Sequence, residues 1–170
     1  HYAYIVISGE KRPFDCTMKL TPNVYTIGIG CRKGKSFEEL LEFVNQSVPV
    51  DILHYAYALA SIDLKQKETG LNILAQYLNI PFETFSAVQL NSTLGNFNSS
   101  EYVQQVTGVD NVCERAAVLC AANNELIIEK ISENGMTVAV AVRKPRIIKW
   151  RNMYARFNRV GNTNFKRNFK

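Results

Sequence analysis

Two periodicities alternate along this chain, and together they outline the fold before any residue chemistry is considered. Residues 2–8 and 24–30 are apolar and rich in β-branched or aromatic side chains, which predicts strands. Between them lie a polar turn and an extended stretch running through Pro22. Residues 37–46 (FEELLEFVNQ) and 68–78 (ETGLNILAQYL) carry apolar positions at helical spacing, the second at 71, 74, 75 and 78. Residues 56–62 (AYALASI) suit a buried strand, with helix as a rival because alanine is weak in sheets. A short strand after Pro81 ends at Ser86, and a polar loop covers 91–100. A short helix near 100–106 comes next. Asn111 and Glu114 have capping-box spacing before a helix over 112–122. Strands 125–130 and 136–142 flank Asn134-Gly135, a hairpin turn signal.

Strands that alternate with helices and close on a hairpin predict a three-layer α/β/α domain with a mostly parallel sheet and a C-terminal hairpin. In such sheets ligands gather outside the carboxyl ends of the strands. That rule brings three separated segments into one expected crevice: the loop Gly28–Ser36, the strand end Ser61–Lys65, and Ser86.

Charge refines this picture. The formal net charge is +5, but residues 143–170 hold ten Lys or Arg and no acid. The preceding 142 residues therefore carry ten cations against fifteen acids and are mildly acidic. The basicity belongs to a tail, which argues against nucleic-acid binding by the domain. No apolar run approaches the roughly 20 residues that span a bilayer. The N-terminus lacks the layout of a signal peptide, and His1 stands almost inside a strand, as in a fragment of a longer chain.

The candidate chemistry centres on residues 24–36 (VYTIGIGCRKGKS). A strand that ends in glycines and feeds a helix start exposes backbone N–H groups and a partial positive charge. Arg32, Lys33 and Lys35 add three cations, so an anion such as a carboxylate or phosphate is the expected guest. Two nucleotide motifs fail here. A Walker A loop would need glycine at Ile29, and a Rossmann fingerprint would need it at Lys33. Cys31 has basic neighbours that favour thiolate, yet no base is in view, and a buried thiol is the plainer reading. Cys16, Cys31, Cys113 and Cys120 show no metal spacing, which points to a reduced, cytoplasmic protein with no protein-bound metal. Asp63, Lys65 and Glu68 form a polar cluster past a strand end, suited to ligand binding, to acid–base work, or merely to a solvated helix start. Glu114 and Arg115 beside the Gly108 turn carry the same ambiguity, and Lys130 at a strand end suits either ligand contact or closure of the sheet.

Taken in order, GIGCRKGKSFEEL, ALASIDLK with Glu68 and Gly70-Leu71, Phe85-Ser86, TGVDNVCERAA and the closing EKxxxxGMTVAVA resemble the C-terminal domain of the cobalt-precorrin 5A hydrolases (CbiG) and the related stand-alone protein CobE. The resemblance covers about residues 20–142; it makes 1–19 the end of a preceding middle region and leaves 143–170 as a basic tail outside the pattern. It implies cobalamin biosynthesis: opening of the ring A lactone of cobalt-precorrin 5A, release of acetaldehyde, and formation of cobalt-precorrin 5B. The alternative it implies is a non-catalytic corrinoid carrier like CobE. Cobalt would be carried within the substrate, with no separate cofactor. Expected partners are the corrinoid intermediate, a CbiG N-terminal domain in the same chain and other enzymes of the pathway, without membrane attachment. The ligand-facing set it implies is Gly28, Gly30, Cys31, Arg32, Lys33, Ser61, Lys65, Ser86, Gly108, Glu114 and Lys130, with Asp63 or Glu68 activating water.

Overall fold

The computed structural model describes residues 5–7, 18–20, 22–95, 97, 101–123 and 125–144. Near the N-terminus, β1 (Ile5–Ile7) and β2 (Met18–Leu20) pair in parallel as a separate two-stranded sheet. β1 falls within the strand expected over 2–8. The remainder of that strand, Cys16 and all of the tail beyond Lys144 lie outside the described residues.

The main sheet contains β3 (Tyr25–Cys31), β4 (Ala56–Ile62), β5 (Phe82–Phe85), β6 (Leu126–Glu133) and β7 (Met136–Val142). Their order is β5-β4-β3-β7-β6. Parallel pairing joins β3 to β4 and β4 to β5, while β7 runs antiparallel to both β3 and β6. Four strands thus point the same way and β7 alone opposes them, as expected of a mostly parallel sheet completed by a C-terminal hairpin. The turn of that hairpin is Asn134-Gly135, both with positive φ, as a tight two-residue connection requires.

Helices cover both faces. On one face lie α1 (Phe37–Ser47) and, after the short α2 (Val50–His54), α3 (Thr69–Tyr77). Leu40, Phe43 and Val44 of α1 and Leu71, Leu74 and Ala75 of α3 close over Ile27, Ile29, Leu59, Val138 and Val140. α1 starts where it does because Ser36 and Glu39 form a full capping box, and it ends before Pro49, which cannot continue it. On the other face, α4 (Ala87–Asn91) and α5 (Glu101–Thr107) lead to α6 (Val112–Ala121). This long helix lies on a floor of small side chains. The registers put Thr26, Gly28, Ala58, Ala60, Ala139 and Ala141 on that face. The weak alanine content that clouded the reading of 56–62 is explained: β4 carries alanines because α6 rests on them.

α2 and α4 were not expected. Both are five residues long, too short to show a period. Asn111 caps α6 through its side chain, accepting from Glu114 N at 3.0 Å. The reciprocal half of the expected capping box differs: the Glu114 carboxylate turns to the Asn111 amide (2.5 Å) and to Lys130 N (2.7 Å). Lys130 lies where β6 shifts register, so its N–H finds a side-chain acceptor.

Candidate site at the carboxyl ends of the strands

The carboxyl ends of β3, β4 and β5 lead directly into the starts of α1, a 3-10 turn (Asp63–Lys65) with α3 behind it, and α4. α6 adds a fourth helix start. Its direction follows from two contacts: Thr26 Oγ1 donates to Ala117 O at 2.7 Å, while Gly28 lies under Cys113, so α6 runs against β3. The starts of α1, α3, α4 and α6 therefore all lie along the carboxyl-end edge of the sheet, where the dipoles of the longer helices favour negative charge.

The cationic loop is braced on several sides. Arg32 N donates to Gly135 O at 2.9 Å, across to the hairpin turn. Gly34 N donates to Glu68 Oε2 at 3.1 Å, and Lys65 Nζ meets Glu68 Oε1 at 3.0 Å. Gly34 has φ +80, a conformation that glycine adopts without strain. Lys35 Nζ reaches Glu39 Oε1 at 2.6 Å and is taken up by that pair. Gly70 presses the start of α3 against the loop: a Cβ there would run into Lys35 O and stand 2.9 Å from Leu40 Cδ1.

The expected residues divide into two groups. Arg32, Lys33, Asp63, Lys65 and Glu68 stand on the two neighbouring rim loops, tied together by the Gly34–Glu68–Lys65 bonds. Arg32, Lys33 and Asp63 are exposed, whereas the Lys65 and Glu68 side chains are only 16% and 15% exposed. Gly28, Ser61 and Glu114 are a correction to the ligand-facing set, because all three are buried and occupied within the protein. Gly28 is the seat of α6. Ser61 is 0% exposed and donates to Ile29 O at 2.7 Å, bridging β4 to β3. Glu114 is 1% exposed within the bonds to Asn111 and Lys130 described above.

Other members of the set also have local structural work. Ser86 caps α4 in a box with Gln89, a signal (Ser-x-x-Gln) that could have revealed the helix from sequence. Gly108 is an exposed turn residue with φ +74, whose carbonyl accepts from Asn91 Nδ2 at 2.8 Å. Gly30 leaves room for Thr137, whose Oγ1 would lie 2.7 Å from a Cβ at that position. Lys130 is on edge strand β6, at the opposite end of the strand order from β5, which Ser86 follows.

The single crevice needs a second correction. A cleft of about 420 Å³ does open beside the cationic loop, but on the side of α1 and the hairpin. Arg32, Lys35, Glu39 and Glu42 line it over a floor of Phe43 and Met136, and neither Asp63 nor Ser86 takes part. The Arg32 stem lies along the hairpin turn, where a Cβ on Gly135 would be 2.7 Å from Arg32 Cδ. Antiparallel β7 is the cause: it brings the hairpin turn next to the end of β3, and Arg32 packs on it.

Burial governs the thiols. It pushes the Cys31 pKa up despite Lys65, so the basic neighbours do not produce a reactive thiolate. It pushes Cys113, on the sheet-facing side of α6, up to about 12. Glu68 behaves oppositely: burial raises its pKa, but the Gly34 N–H and Lys65 together outweigh that, leaving the carboxyl below its usual range. Among the described residues no group of His, Cys, Asp and Glu could hold a metal ion, and no helix is long and apolar enough to cross a membrane.

For Arg115 the structural side of the ambiguity holds. Arg115 donates to both Asp110 oxygens (2.7 and 3.3 Å) and to the carbonyls of Leu90 and Thr93 (3.3 and 3.0 Å). Its guanidinium also lies 4.6 Å from the Phe97 ring centre. This one side chain ties the segment after α4 to the start of α6. Arg115→Ala is expected to cost about 2 kcal/mol at pH 7, the scale of lost charge-assisted bonds. The Arg115 bond holds the Asp110 carboxyl below its ordinary value. A depressed carboxylate pKa contributes stability above the unfolded value of about 3.9 and loses it as pH falls through the folded value. The gap between wild type and Arg115→Ala in urea unfolding is therefore expected to narrow from pH 7 to pH 3. A constant gap would show that the carbonyl bonds carry the whole effect.

The family model described as Cobalamin synthesis G C-terminus matches residues 25–141. Cobalt-precorrin-5A hydrolase of Salmonella typhimurium is 32% identical over 126 residues, covering 73% of this chain and 36% of the relative. The cobalt-precorrin-5A hydrolase of Priestia megaterium is 32% identical over 124 residues, covering 71% and 33%. The chain thus spans about a third of the length of these curated relatives. The crystal structure of CobE, a protein from the cobalamin (vitamin B12) biosynthetic pathway, superposes with a TM-score of 0.65 at 29% identity, covering 73% of this chain and 93% of CobE.

Proposed function

This chain belongs to the cobalamin synthesis G C-terminus family, and from that premise we propose that it binds cobalt-precorrin 5A and takes part in opening its ring A lactone, with release of acetaldehyde. The observation that carries the proposal is the pair of tied loops bearing Arg32, Lys33 and Lys65, which lead from adjacent strands into the starts of α1 and α3. A corrinoid intermediate bears many acetate and propionate groups. Cations held on braced loops beside helix starts suit such a polycarboxylate, through charge-assisted bonds that need little reordering of the protein. Cobalt enters inside the ring of this substrate and needs no ligand from the protein.

The proposed module is residues 20–142, working with an N-terminal hydrolase domain and with neighbouring enzymes of the pathway. Within it, Arg32 and Lys33 take substrate carboxylates, with Lys65 behind them, and Asp63 activates the water that attacks the lactone. Asp63 is favoured over Glu68 because its carboxylate stands in the open at the end of β4, whereas both Glu68 oxygens are occupied.

A carrier reading has its own support, since the likeness to CobE extends over 93% of that protein but only a third of the hydrolases. One experiment separates the two. The chain is titrated with cobalt-precorrin 5A by absorbance, and acetaldehyde is then assayed with and without an added N-terminal hydrolase domain. Binding with acetaldehyde release supports hydrolysis, and binding without release in either mixture supports the carrier. No binding in the micromolar range overturns both.

A further inference from the structure

The two carboxylates at the rim have different surroundings, and we infer that Glu68 is a positioning residue that holds the cationic loop in its ligand-ready arrangement, not an acid or base in the reaction. The inference rests on the corrinoid reading and refines it. Glu68 sits at the start of α3, yet its side chain reaches back to the loop after β3. Oε2 accepts from Gly34 N at 3.1 Å and Oε1 from Lys65 Nζ at 3.0 Å. A carboxylate bound at both oxygens and held ionised below its usual range is a weak proton acceptor, poorly matched to general-base work.

Its geometry suits a brace. The Gly34 N–H lies in the turn between Lys33 and Lys35, so the bond to Glu68 sets the path of the chain that carries Lys33 outward. Lys65 belongs to the loop after β4, so one carboxylate joins the two loops that leave adjacent strands. The brace is itself anchored. The Glu68 carbonyl accepts from Asn72 N at 3.1 Å and from Asn72 Nδ2 at 2.9 Å, and Gly70 packs against the same loop. Without the carboxylate, the turn around Gly34 regains its freedom, and a ligand must order it on binding. That loss falls on affinity and leaves the chemical step alone.

The test uses the full chain with Glu68→Gln and Glu68→Ala. Cobalt-precorrin 5A affinity, the rate of acetaldehyde release at saturation, and amide exchange at Gly34 are measured for each. An amide oxygen still accepts the Gly34 N–H, so Glu68→Gln is expected to stay within about threefold of wild-type affinity, while Glu68→Ala weakens it about tenfold, the equivalent of one charge-assisted bond. Gly34 exchange is expected to quicken in Glu68→Ala, with the saturated rate within about twofold of wild type. Equal collapse of the saturated rate in both variants with unchanged affinity would make Glu68 an acid or base and overturn the inference. Unchanged affinity in Glu68→Ala, or unchanged Gly34 exchange, overturns it as well. Failure of the wild type itself to bind cobalt-precorrin 5A is a different result: it overturns the corrinoid reading, whereas the exchange rate still decides whether Glu68 holds the loop.

Discussion

Gly28→Ala is expected to destabilise the protein by more than about 3 kcal/mol, beyond the usual range for an added methyl group, and to leave much of it unfolded at 37 °C. A Cβ at this position would meet the Cys113 carbonyl oxygen head-on and stand 2.8 Å from Ala117 N. Both are helix backbone atoms, which no rotamer change can move aside. Relief would require α6 to lift from the sheet, and α6 is held there by Thr26 Oγ1 bonded to Ala117 O and by the closely packed Ala60, Ala116, Ala117 and Ala141. Gly34→Ala is the informative control. Its φ is +80, but nothing lies within 4 Å of a Cβ there, so only the backbone preference is lost, about 1 kcal/mol. Thermal and urea unfolding of the two variants give the comparison. Similar stability losses would show that α6 yields more easily than its packing indicates.

Asp63→Asn is expected to lower acetaldehyde release at least about 100-fold, the lower end of what positioned general bases contribute, while corrinoid affinity stays within a few-fold. The variant should fold normally. Asp63 contributes its backbone carbonyl to the 3-10 turn, accepting from Gln66 N at 3.0 Å, and its exposed side chain is dispensable for that bond. Single-turnover assays with cobalt-precorrin 5A, in the presence of the N-terminal hydrolase domain, provide the measurement. Turnover that persists in Asp63→Asn would remove the catalytic assignment without touching the binding reading.

How much of this was legible beforehand depended on the range of the interactions involved. Strands at 24–30, 56–62 and 136–142 and helices at 37–46, 68–78 and 112–122 were visible because burial on one or both faces stamps a period on seven or more residues. The rule that ligands gather at strand carboxyl ends also worked across distance: it brought the loop Gly28–Ser36 beside the strand end Ser61–Lys65, which Glu68 ties together through Gly34 and Lys65. What failed was the meaning of individual residues whose partners are remote. Gly28 looked like a ligand-approach glycine, yet it serves a helix that begins 84 residues later. Ser61 looked like a polar residue at a binding rim, yet its hydroxyl closes a bond to the neighbouring strand. Nothing local distinguishes a glycine that makes room for substrate from one that makes room for a helix. The packing of the Arg32 stem on Gly135 was hidden for the same reason, because the hairpin comes from the far end of the domain. Arg115 stood out beside the Gly108 turn, but its bracing role was hidden because two of its three partner residues, Leu90 and Thr93, lie more than 20 positions upstream and offer only backbone carbonyls.

The placement of β7 between β3 and β6 also governs the order in which this domain can be completed during synthesis. β3 pairs along its whole length with a strand more than 100 residues downstream. On the ribosome, β3 and β4 can zip together early, but the other edge of β3 must wait, apolar and unpaired, until residues 136–142 emerge. Long-range closure of this kind slows folding, and an open strand edge invites pairing with other nascent chains. The assembly hazard of this protein is therefore concentrated in the interval between translation of Cys31 and translation of Val142.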